Sequence, residues 1–105
     1  MLIFGLKNCD TCRKAIKALP TAQLRDVRTD GVPADILKAA LAQFGDALIN
    51  TRSTTWRGLS DEEKAQDPLA LLAQYPALMK RPLIAVDNRL FLSWNKDIEA
   101  ELKAL

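Results

Sequence analysis

A chain of 105 residues is sized for one domain with a single modest core. Apolar residues make up 49% and charged residues 27%, with a net charge of +2, which excludes a disordered tail and a strongly basic nucleic-acid-binding stripe. No run approaches the ~18 apolar residues of a membrane span, and "MLIFGLKN" lacks the charged-then-apolar layout of a signal peptide, so a cytoplasmic protein with reduced thiols and neither a membrane nor a direct nucleic-acid partner is expected.

The apolar run "MLIFGL" predicts a strand, stopped by "KNCD". From Asp10 to Leu19 the pattern becomes helical: Cys12, Ala15, Ile16 and Leu19 recur at three- and four-residue intervals, and Pro20 closes the segment. "AQLRDV" reads as a second strand, ended by "TDG". In "VPADILKAALAQFG" the residues Ile36, Leu37, Ala40, Leu41 and Phe44 form one apolar helical stripe, and Gly45 sits where a C-terminal glycine belongs. "INTRSTTWRGLS" is polar and threonine-rich, and reads as a loop with some local order. "SDEEKAQ" begins a helix with Ser60 as cap and Glu63 three residues later, a capping box. "DPLALLAQYP" restarts with Asp67 as cap and Pro68 in the first turn. "PLIAV" and "RLFLSW" are strands around an Asp-Asn turn, and "NKDIEAELKAL" is a closing amphipathic helix.

A βαβ unit followed later by a hairpin and a helix is the order of the thioredoxin fold. The expected class is therefore α/β: a thioredoxin-like fold, with a mixed four-stranded sheet and a helical insertion between the βαβ and ββα halves, in one domain over residues 1–105.

Both cysteines lie in "KNCDTCRKA", as Cys9-x-x-Cys12. A zinc site takes four ligands, and with two cysteines and no histidine no metal is expected. A structural disulfide here would close a tiny loop and stabilise little. Both residues could fill a core as small hydrophobes. Cys12 fits that role on the apolar stripe, whereas Cys9 falls at the strand-to-helix turn. Unpaired N–H groups and the helix dipole favour a thiolate there, and the thiolate is the attacking species. Arg13, about one turn further on, adds positive charge near Cys9, and Asp10 opposes it. A Cys-x-x-Cys that opens a helix after a first strand favours redox or nucleophilic chemistry at Cys9.

"KNCDTCRKA", "INTRSTTWRGL" and "MKRPLIAV", in that order, resemble the ArsC/Spx family of thioredoxin-fold proteins, and within it the YffB-like group. The resemblance runs from the first strand to the last helix. It implies that Cys9 is the nucleophile, that Cys12 is the resolving thiol and that Arg13 completes the motif. It also implies that Arg52 and Arg81 line the active site and that Pro82 is the proline usually cis in this fold. On their own residues, Arg52 and Arg81 fit either ordinary solvated arginines or guanidinium groups that bind carboxylates and oxyanions through forked hydrogen bonds. The resemblance favours the second, and on it both are expected to converge on the Cys9 sulfur.

The implied activity is that of a thiol–disulfide oxidoreductase, a glutathione-dependent thiol reductase, monomeric, with no bound cofactor and glutathione as co-substrate. Two other activities occur among the proteins it resembles. Arsenate reductases, which work with glutaredoxin, carry a hairpin pattern Arg-Leu-x-Arg-Pro; here "NRLFLSW" keeps Arg89 but has Leu92 at the second arginine, and Cys12 stands where those enzymes have serine. Spx-like regulators sense redox state and bind RNA polymerase, and "CDTCRKA" and "INTRS" suit them as well.

Overall fold

A computed structural model describes residues 1–105. Four strands and six α-helices are present: β1 (Leu2–Gly5), α1 (Asp10–Ala18), β2 (Gln23–Asp26), α2 (Ala34–Phe44), α3 (Thr54–Arg57), α4 (Asp61–Lys64), α5 (Pro68–Gln74), β3 (Leu83–Val86), β4 (Arg89–Leu92) and α6 (Lys96–Lys103). The sheet runs β2-β1-β3-β4, with β1 parallel to β2 and antiparallel to β3, and β3 antiparallel to β4. This is the thioredoxin-like mixed sheet expected from the element order.

The chain divides into two compact units, Met1–Asp30 with Arg81–Leu105, and Gly31–Lys80. The second is the helical insertion, and in sequence it separates β1 and β2 from β3 and β4.

In the first unit, register explains the core. Leu24, Ile3, Ile84 and Phe91 are consecutive cross-strand partners, so one row of apolar side chains crosses the whole sheet. Ile3, Ile84 and Phe91 join Ala15 and Leu19 from the α1 segment and Leu102 from α6 in one buried cluster. The three- and four-residue spacing that predicts α1 is the spacing that brings Ala15 and Leu19 into it. Burying each leucine, isoleucine or phenylalanine of this cluster contributes about 1.5–3 kcal/mol. The β3–β4 turn is the two-residue Asp87-Asn88, with Asp87 at φ 52°, a left-handed conformation that Asp tolerates better than most residues. Asn95 caps α6 by accepting from the Ile98 N–H at 2.9 Å.

In the second unit α2 ends at Gly45, whose φ of 57° is the left-handed value that stops a helix. Ser60 and Glu63 close the capping box of α4: the Ser60 Oγ accepts from the Glu63 N–H at 3.2 Å and the Glu63 carboxylate accepts from the Ser60 N–H at 3.1 Å. The same carboxylate accepts from the Tyr75 hydroxyl at 2.7 Å, tying α4 to the end of α5. Asp67 precedes α5, with Pro68 in its first turn, but its side chain makes no capping hydrogen bond. The segment read as a loop, 49–60, contains α3. Ser53 caps it, accepting from the Trp56 N–H at 3.1 Å. A four-residue helix is too short to display a period, which is why the pattern does not reveal it. No helix of the chain is long and apolar enough to cross a membrane.

Candidate active site

β1 runs into a short turn, and Cys9 is the last residue before α1, in extended conformation at φ −89° and ψ 122°. Its backbone is fixed on both sides: the Cys9 N–H donates to the Leu6 carbonyl at 3.2 Å, and the Cys9 carbonyl accepts the Arg13 N–H at 2.9 Å. The N-cap position of α1 is held by Cys9 itself rather than by an oxygen-bearing side chain, so the N–H groups of that turn remain to act on a sulfur anion.

The two thiols differ sharply. Cys9 is half-buried and Cys12 fully buried. Partial burial pushes the Cys9 thiol up. The backbone N–H of Cys12, the Cys12 thiol and the Arg81 guanidinium all hydrogen-bond to the Cys9 sulfur and favour its charged form, and the positive charge of Arg81 adds to them. Together they outweigh burial, and Cys9 is held below the ordinary thiol value. Cys12 moves the other way, pushed up to about 11, first by burial and then by the neighbouring Cys9; the Leu6 N–H and the charge of Arg81 only partly offset this. The pair is one thiolate-prone sulfur resting on one protonated thiol.

Arg81 is half-buried, and the Arg81–Pro82 peptide bond is cis. The Ser93 N–H donates to the Pro82 carbonyl at 2.8 Å, which joins the entry of β3 to the exit of β4. Arg13 is placed differently. Its Nε donates to the Lys7 carbonyl at 2.8 Å, and its guanidinium lies 3.8 Å from the Asp10 carboxylate on an exposed surface. It braces the turn before Cys9, while the cation acting on the Cys9 sulfur comes from Arg81. Cys9, Cys12, Arg81 and Pro82 therefore gather in the first unit, with Arg13 at their margin.

Arg52 belongs to the second unit. An antiparallel bridge between Ile49 and Met79 carries the turn, with the Asn50 N–H on the Leu78 carbonyl and the Lys80 N–H on the Leu48 carbonyl, 2.8 and 2.7 Å. Asn50 then shapes the backbone at Arg52: its side-chain oxygen accepts the Arg52 N–H at 3.1 Å, and its carbonyl accepts the Ser53 hydroxyl at 2.8 Å. The exposed Arg52 and Lys80 side chains line an open cavity of about 600 Å3 together with Asp46, Asn50 and Thr51. Lys80 and Asn50 were not among the residues that sequence singles out. Asn50 had a signal, an Asx residue two positions before the arginine; Lys80 had only its place beside Arg81.

Arg89, the arginine retained in the hairpin, is engaged elsewhere. Its guanidinium pairs with Glu101 at 3.4 Å and lies over the Phe91 ring at 5.0 Å. No group of three or more His, Cys, Asp or Glu side chains is arranged to hold a metal ion.

The ArsC family model matches residues 4–101 of the chain. An uncharacterized protein of Haemophilus influenzae is 41% identical over 103 residues, covering 90% of each chain. The global transcriptional regulator Spx of Staphylococcus epidermidis is 30% identical over 105 residues, covering 90% of this chain and 80% of its own. The solved structure of a YffB protein superposes with a TM-score of 0.85 at 27% identity, covering 95% of this chain and 96% of its own.

Proposed function

Since the chain belongs to the ArsC family, we propose that it is a thiol–disulfide oxidoreductase that uses glutathione as reductant, with Cys9 as nucleophile and Cys12 as resolving thiol. The observation that carries this reading is the inequality of the two sulfurs, one lowered and half-exposed, the other raised and buried.

The chemistry follows from that inequality. The Cys9 thiolate attacks one sulfur of a disulfide substrate; a Cys9 mixed disulfide forms, and the other substrate sulfur departs as a thiolate, which takes up a proton. Cys9 has then lost its negative charge. That charge is one of the influences that keep Cys12 protonated, so its loss lowers the Cys12 pKa, while the charge of Arg81 continues to favour the Cys12 anion. Cys12 gives up its proton and attacks the Cys9 sulfur, forming the Cys9–Cys12 disulfide and expelling the remaining substrate thiolate. Two molecules of glutathione return the pair to dithiol and leave as glutathione disulfide. Arg81 thus acts at both steps, first on Cys9 and then on Cys12.

Glutathione carries two carboxylates, and guanidinium groups pair with carboxylates through forked hydrogen bonds. Arg52, with Lys80 beside the same cavity, suits one of them. Arsenate reduction is the weaker reading: Leu92 replaces a second hairpin arginine, and Arg89 is held by Glu101. The 30% identity to Spx supports a second reading of another class, a redox-sensing regulator that binds RNA polymerase.

The test is reduction of a small disulfide by glutathione, coupled to glutathione reductase and NADPH consumption. Turnover that vanishes in Cys9→Ser supports the proposal. Absence of turnover in the wild type, together with retention of RNA polymerase on the immobilised protein, would favour the regulator.

A further inference from the structure

Gly5 is the last residue of β1, four positions before Cys9, and its α-carbon lies against Cys12 in the first turn of α1. It is not among the residues that adopt positive φ, so its backbone conformation is open to any residue. What it cannot accept is a side chain. A Cβ at Gly5 would collide with the Cys12 Sγ and lie 3.3 Å from the Cys12 Cβ, while its other neighbour, the Leu24 Cδ1 at 3.9 Å, is an ordinary contact. The obstacle to a methyl group is the Cys12 side chain, its sulfur above all and its Cβ by a few tenths of an ångström.

The thiol has little room to yield. Cys12 is completely buried and sits in the first turns of α1, whose next inward residue, Ala15, is also completely buried. Gly5 itself is pinned in the sheet: it is the register partner of Asp26, and its carbonyl accepts the Val27 N–H at 3.1 Å. The missing side chain therefore shapes a hollow, and the sulfur fills it.

We propose that Gly5 is a positioning residue whose bare α-carbon makes the hollow that seats the Cys12 sulfur against the turn carrying Cys9. Seated there, the Cys12 thiol donates to the Cys9 sulfur and takes the Leu6 N–H. Displaced from it, the thiol loses both relationships, and Cys9 loses one of its hydrogen-bond donors. The inference rests on the reading of Cys9 and Cys12 as a working pair, and its test reads stability and thiol ionisation rather than turnover, so either can fail without the other.

The experiment compares Gly5→Ala, Cys12→Ala and the double variant. Two quantities are measured: the unfolding equilibrium in denaturant, and the pH dependence of Cys9 alkylation by mass spectrometry. Gly5→Ala is expected to raise the unfolding constant by about tenfold or more, as overpacking does, and to raise the Cys9 pKa toward its value in Cys12→Ala. The double variant is expected to be no less stable than Cys12→Ala by more than a few-fold. It leaves only the Cβ pair at 3.3 Å, which a shift of a few tenths of an ångström relieves. If Gly5→Ala does not fold, folding of the double variant supports the same contact. A Cys9 pKa unchanged in a folded Gly5→Ala, penalties that simply multiply in the double variant, or a double variant that also fails to fold would each overturn the proposal.

Discussion

The backbone N–H and the thiol of Cys12 both act on the sulfur of Cys9, so one residue supplies two of the influences that favour its partner's anion. The reverse influence is opposite in sign, since Cys9 helps to keep Cys12 protonated. The pair is thereby polarised before any substrate arrives, and Cys9 should be the more reactive thiol. With limiting iodoacetamide near neutral pH, peptide mass spectrometry should find the label on Cys9 first. Preferential label on Cys12 would reverse the assignment.

The raised Cys12 has a consequence for stability. Its ordinary value is 9.0 and its folded value about 11. Between these limits the unfolded chain gives up the Cys12 proton while the folded chain keeps it, so the unfolded state binds fewer protons and stability falls as pH rises. Cys9, lowered, works in the other sense below pH 9: its contribution grows as pH climbs through its folded value toward the ordinary one. Denaturation midpoints measured from pH 8.5 to 11 should therefore fall more steeply in the wild type than in Cys12→Ala. Equal slopes would mean that Cys12 is not held protonated by the fold.

Arg81→Ala should raise the Cys9 pKa, because it removes both a hydrogen bond and a positive charge from the sulfur. Arg81→Lys keeps the charge without the planar fork and should give an intermediate value. The alkylation pH profile of each variant is the readout. Profiles identical to the wild type would assign the lowering to α1 and Cys12 alone.

Arg52→Ala should weaken glutathione binding by about 1 kcal/mol, roughly fivefold, the scale of an exposed ion pair, and should leave the Cys9 alkylation profile unchanged. Calorimetric titration of the reduced protein with S-methylglutathione would measure it without thiol exchange. Unchanged affinity would remove Arg52 from the proposed carboxylate contacts. Arsenate turnover should be poor, with Arg89 held by Glu101 and leucine at position 92.

Much of this architecture is written in the sequence where its physics is periodic or chemically singular. Ala15 and Leu19 announce α1 because a helix that covers a sheet needs apolar residues on one side. Ser60 with Glu63 announces α4 because the capping box is a fixed spacing. Other features leave no periodic trace. Arg13 is next to the motif in sequence, but its reach ends on the Lys7 carbonyl, whereas Arg81, distant in sequence, is brought to Cys9 by the sheet. Gly5 looks like any residue of a short strand until the Cys12 sulfur is seen against it. α3, four residues long, has a serine cap and no period to betray it.

The central claim, that Cys9 attacks a disulfide and Cys12 resolves the product, is tested most directly by trapping. Cys12→Ser, incubated with glutathione disulfide and analysed intact and by peptide mapping, should carry a single glutathionyl group on Cys9. The wild type should instead accumulate the Cys9–Cys12 disulfide. No adduct on Cys9 in Cys12→Ser, or a persistent glutathionyl adduct on wild-type Cys9 with Cys12 still a free thiol, would contradict the account.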